Sequence, residues 1–75
     1  MTPRLPQVTA KELIAALKHA GFELDHQTGS HADLYNPVTR RQTVVPMHAG
    51  DIGRGLLKKI IKQAGLTEDT FRDLL

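Results

Sequence analysis

The chain has no cysteine and no tryptophan, and its aromatic residues number two phenylalanines and one tyrosine. Without cysteine there is no disulfide, no thiolate metal ligand and no thiol nucleophile, a composition that fits a reducing cytoplasm. Long apolar runs are missing too. Nothing approaches the roughly 20 consecutive apolar residues that span a bilayer, so no membrane partner is expected. The start, Met1-Thr2-Pro3-Arg4-Leu5-Pro6, has two prolines and lacks the apolar core of a secretory signal. Residues 1–8 are expected to be a flexible lead-in to a single domain within 1–75, because a chain of 75 residues supports one modest core and neither a second domain nor an internal ligand cavity.

A large net charge is also absent: the balance is only +2. The charge is unevenly placed, however. Residues 1–26 sum to zero, 27–39 to −1, 40–62 to +5 and 63–75 to −2. A basic block in a nearly neutral chain favours an anionic partner, against the plainer reading of a solvated helix face.

The pattern of elements is well marked. Thr9 and Glu12 form a T-x-x-E capping box flanked by Val8 and Leu13, and Leu13, Ile14, Leu17 and Ala20 recur at helical spacing, which predicts a helix over 10–20 closed by Gly21. Phe22 to His26 alternates apolar and polar residues as a half-buried strand does. Gln27-Thr28-Gly29 is a turn, Ser30 to Tyr35 a second strand, Asn36 to Arg40 another turn, and Gln42 to Val45 a third strand ended by Pro46. Connections this short require antiparallel neighbours. A second helix is expected from somewhere in 51–55 to Ala64, with Asp51 as a candidate cap and with Leu56, Leu57, Ile60, Ile61 and Ala64 as its apolar face. Thr67 caps a short last helix, Glu68 to Leu74. The order αβββα plus a terminal helix predicts an α+β sandwich, with a three-stranded antiparallel sheet and both main helices on one face, the architecture of double-stranded-RNA-binding domains.

Strand parity locates the chemistry. With Ala32 and Leu34 facing the helices, His31, Asp33 and Tyr35 share the open face; with Phe22 and Leu24 facing in, Glu23 and Asp25 face out. A neutral imidazole on an accessible face can take the proton of a ribose 2′-OH, and the oxygen so activated attacks the adjacent phosphodiester, so the nucleophile belongs to the substrate and no metal or other cofactor is called for. Ser30 is a candidate hydrogen-bond donor to phosphate, and Asp33 a candidate orienter of His31. Seventeen residues after His31 stands His48, just before the second helix, where a phosphate contact and a structural loop role are both open. His31 and His48 alone do not make a metal site, since no third ligand of suitable type lies near either. His19 and His26 read as surface residues. Arg54, Lys58 and Lys62 stand at i, i+4 and i+8 with Lys59 beside them, a stripe suited either to RNA phosphates or to acidic residues of a protein partner. Arg41, in the turn before the third strand, is a further candidate RNA contact.

Four motifs in order carry a likeness to a known family. Leu17-Lys18-His19-Ala20-Gly21-Phe22 resembles a helix end L-x-x-x-G-F, Gly29-Ser30-His31 a G-S-H motif, Val45-Pro46-Met47-His48 a V-P-x-H motif, and the segment Gly55-Leu56-Leu57 to Gln63-Ala64-Gly65-Leu66 a final helix. Together they resemble the HicA toxins of type II toxin–antitoxin systems, over about Thr9 to Leu66. The resemblance implies a double-stranded-RNA-binding-like fold, metal-independent endoribonuclease activity on mRNA with His31 as the catalytic histidine, and a HicB-like antitoxin as protein partner. Ala32 departs from the family, where many members have a second polar residue or a histidine. The alternative is a non-catalytic double-stranded-RNA-binding module, which explains the fold and the basic helix but gives Gly29-Ser30-His31 no role. A pure protein-interaction domain is a third reading.

Overall fold

The computed structural model describes residues 5–47 and 50–75. Its elements run α1 (Ala10–His19), β1 (Glu23–Gln27), β2 (His31–Tyr35), β3 (Gln42–Pro46), α2 (Arg54–Gln63) and α3 (Glu68–Leu74). The strands form one antiparallel sheet in the order β1-β2-β3. This is the α+β sandwich expected from the sequence.

Each helix begins and ends for a local reason. At α1 the Thr9 side chain accepts from the Glu12 N–H at 3.2 Å while the Glu12 carboxylate accepts from the Thr9 N–H at 3.0 Å, so two orphan donors of the first turn are satisfied. Gly21, at φ +100°, turns the chain out of the helix into the left-handed region. The start of α2 is different from expectation. Gly53 is its N-cap and no side chain bonds there; Asp51 instead bridges to Thr9, next to an Ile52 N–H that donates to the Val8 carbonyl at 2.7 Å. That bridge explains why residues 5–8 are more than a lead-in: Leu5 and Val8 are buried in the core.

The core lies between the inner sheet face and the helices. Ala32, Leu34 and Val45 from the sheet meet Leu13, Leu17, Leu57, Ile60, Ile61 and Phe71. Leu56, expected on the apolar face of α2, is 38% exposed. It stands at the edge of the stripe made by Leu57, Ile60, Ile61 and Ala64, whose i, i+3, i+4, i+7 spacing leaves it no room on the buried side. Asn36 is buried and organises the β2–β3 turn: its Oδ1 accepts from the Val38 and Thr39 N–H groups, and its Nδ2 donates to the Ala20 carbonyl. No helix among the described residues is long and apolar enough to cross a membrane.

Candidate active site

The β1–β2 turn is built around Thr28. Its hydroxyl accepts from the N–H of Ser30 at 3.3 Å and of His31 at 3.0 Å and donates to the His31 carbonyl, which also accepts from the Thr28 N–H at 2.8 Å. This closed set of bonds fixes the backbone on which His31 enters β2. The Ser30 carbonyl accepts from the Met47 N–H at 2.7 Å, so the Gly29-Ser30-His31 turn is tied to the end of β3 and the loop after it. His48, expected near this point, lies outside the described residues.

Parity holds on β2. Ala32 and Leu34 are fully buried, His31 is exposed, and Asp33 and Tyr35 are partly so. Ser30 Oγ lies 3.0 Å from His31 Nδ1. Ser30, expected to meet phosphate, therefore first meets the imidazole, and Nε2 is the nitrogen left for a substrate.

Parity breaks on β1. Leu24 pairs with Leu34, but the next pair is His26 with Asp33, followed by Gln27 with Ala32. Asp25 is an extra residue in a bulge, so Asp25 and His26 together oppose the single residue Asp33. Residues directly opposite in an antiparallel pair share a face, which moves His26 onto the open face beside His31. Gln27 agrees with this reading, since it lines a cleft with the N-terminal turn of α1 on the helix side. The expectation that strict alternation holds along this strand is corrected accordingly.

The cleft has a volume of about 530 Å³ and is lined by Thr9, Ala10, Lys11, Gln27, Gly29, Met47 and Gly50. It opens at the end of the sheet where the Gly29-Ser30-His31 turn lies. Lys11 is the cation the structure brings to this place. No sequence signal marked it, because it lies in the first turn of a helix twenty residues before His31.

The expected basic residues separate into two groups. Arg54 donates from Nε to the Leu5 carbonyl at 3.2 Å, and Arg41 donates from Nη1 to the Gln63 carbonyl at 3.4 Å, where it packs over Gly65 at the end of α2. Both guanidiniums hold the fold together. Lys58, Lys59 and Lys62 are exposed on α2, which packs behind β3 on the side of the sheet away from His31. Around His26 and His31 the open face instead carries Glu23, Asp25 and Asp33. Among the described residues, no three His, Asp or Glu side chains are grouped to hold a metal ion.

An αβββα sandwich with an uncovered sheet face places the protein among α+β domains of the double-stranded-RNA-binding type. A family model described as the HicA toxin of bacterial toxin–antitoxin systems matches residues 10–66, from the first residue of α1 to just beyond α2. The chain belongs to the HicA toxin family. No curated protein matches it.

Proposed function

We propose that the protein is an endoribonuclease that cleaves mRNA without a metal cofactor, with His31 as the base that deprotonates the ribose 2′-OH. The observation that supports it best is the pairing of an exposed His31 with Ser30 Oγ, 3.0 Å from Nδ1. The base role requires one tautomer: Nδ1–H donates to Ser30 Oγ, and Nε2 carries the lone pair that takes the proton. Ser30 then has its own hydroxyl proton free to donate to a phosphate oxygen, so its two expected roles are compatible. Because the attacking oxygen belongs to the RNA, the proton transfer and the positioning of the phosphate are the enzyme's main tasks. Family membership supports the toxin role, and with it a HicB-like antitoxin that silences the protein in the cytoplasm.

The test is direct. Purified protein incubated with mRNA in EDTA should yield fragments ending in 2′,3′-cyclic phosphate and 5′-hydroxyl groups. Mobility shift without cutting would instead identify a binding module, and end groups of the opposite kind, 3′-hydroxyl and 5′-phosphate, would exclude attack by the 2′-oxygen.

RNA backbone remote from the cut bond is assigned to Lys58, Lys59 and Lys62 on the far side of the sheet, with Lys11 at the cleft. Each phosphate contact to single-stranded RNA adds about 0.7 to the slope of log affinity against log salt. Replacing the three α2 lysines by alanine should flatten that slope by up to about 2 in a titration between low and moderate salt. An unchanged slope would assign the stripe to the antitoxin instead. Arg41, Arg54 and His48 are weaker candidates for the same contacts, the two arginines because of the structural bonds they make.

A further inference from the structure

We propose that His26 is the general acid that protonates the leaving 5′-oxygen, making the active face a two-histidine site. The inference rests on the ribonuclease reading above and adds the second half of the proton transfer. Cleavage by the 2′-oxygen expels a 5′-alkoxide, a poor leaving group unless a proton reaches it as the P–O bond breaks. His31 as base cannot supply that proton in the same step.

The bulge in β1 places the second imidazole. It puts Asp25 and His26 opposite Asp33, two residues along β2 from His31 on the same open face. Diagonal neighbours of this kind in an antiparallel pair are roughly 7–8 Å apart in backbone, within reach of long side chains from both sides. Two imidazoles at that separation can straddle one phosphodiester. Without the bulge, His26 would fall on the helix side with Leu24, and His31 would be the one histidine on the open face among the described residues. The remaining groups on the face fit the role less well. Asp25, Asp33 and Glu23 carry carboxylates, which act chiefly as hydrogen-bond acceptors toward a leaving oxygen. Tyr35 lies four residues along β2 from His31, at the far end of the strand. Histidine is the side chain that both gives and takes protons near neutrality.

The step balances as follows. His31 Nε2 takes the 2′-OH proton as the 2′-oxygen forms its bond to phosphorus. The bond from phosphorus to the 5′-oxygen breaks, and the electron pair left on that oxygen takes the proton of the His26 imidazolium. The products are a 2′,3′-cyclic phosphate and a 5′-hydroxyl, with His31 now protonated and His26 neutral. Proton exchange with water restores both.

A leaving-group comparison tests this. The cut bond is first mapped in an mRNA. Two short RNAs are then made with only that ribose bearing a 2′-OH, one with the natural 5′-oxygen at the cut bond and one with sulfur in its place. A thiolate leaves without a proton, so it does not need the acid. His26→Ala and His26→Gln are expected to cleave the oxygen substrate about 10²-fold or more slowly than wild type, and the sulfur substrate within about tenfold of wild type, whereas His31→Ala is slow on both. Equal rates of wild type and the His26 variants on the oxygen substrate would overturn the assignment. An equal loss on both substrates would do the same, since His26 would then act in binding or folding; the glutamine variant keeps a polar side chain on this exposed strand so that a failed fold in one variant does not decide the matter. A wild-type protein inert toward both substrates would remove the ribonuclease reading itself, and this inference with it.

Discussion

Replacing His31 by alanine should reduce RNA cleavage by about 10²–10⁴-fold and abolish growth inhibition while leaving the fold unchanged. That loss corresponds to about 2.7–5.5 kcal/mol of barrier. The two halves of the expectation have separate causes. His31 is exposed and, among the described residues, its ring bonds only to the neighbouring Ser30 hydroxyl, so its removal opens no cavity and orphans no buried group there. Surface substitutions of that kind usually change stability by no more than about 0.5 kcal/mol, and the thermal midpoint should hold. The backbone of the turn is fixed by Thr28 and by the Met47 N–H, neither of which touches the imidazole, so Gly29-Ser30 should stay in place too. His31→Gln is the stricter variant, because it retains a polar side chain of similar reach with no basic nitrogen; it should be as inactive as alanine. Wild-type initial rates in either variant, with matched circular dichroism, would sink the base assignment. A lost midpoint together with lost activity would show that His31 holds the strand rather than the substrate.

The sequence carries most of the fold because its local signals agree. The Thr9–Glu12 box, Gly21 and Gly65 bound the helices, and the alternation in His31-Ala32-Asp33-Leu34-Tyr35 matches the burial of that strand. What it does not carry is long-range or two-to-one. The bulge at Asp25 follows from the register against β2 and has no glycine or other local mark, so counting in twos puts His26 on the wrong side. Lys11 reaches the cleft only because α1 packs beside the β1–β2 turn. Arg41 and Arg54 look from their charge like phosphate ligands, yet each finds a backbone carbonyl 22 or 49 residues away in the chain. Leu5 sits between prolines with no periodic neighbours, and its burial goes with long-range contacts, the Arg54 bond to its own carbonyl and the strand-like bridge of Thr9 to Asp51. Composition and period thus locate His31, and tertiary contacts decide what surrounds it.

Phe71→Ala should cost about 3–5 kcal/mol, a large part of the stability of the whole domain. At about 0.05–0.15 kcal/mol per residue, a domain of this size has roughly 4–11 kcal/mol in total. Phe71 is fully buried, and it comes from α3, a helix of seven residues that lies beyond the segment matched to the family. A helix this short does not persist alone in water. It is held by Phe71 against α1 and α2, by the Thr67 cap, whose hydroxyl accepts from the Thr70 N–H at 3.1 Å, and by His19 Nδ1, 3.3 Å from the Leu74 carbonyl. Removing the ring leaves a cavity between the two main helices and takes away the anchor that keeps α3 docked, so its detachment should follow. With about 4–8 °C of midpoint per kcal/mol for a domain of this size, the thermal transition should fall by some 12 °C at least. Truncation after Leu66 should be at least as damaging, even though it removes nothing from the matched segment. A midpoint change under about 3 °C for Phe71→Ala would mean that α1 and α2 close over the site unaided. Below its lowered midpoint the alanine variant should still cleave RNA near the wild-type rate, because α3 packs on the helix layer and His31 lies on the opposite face of the sheet.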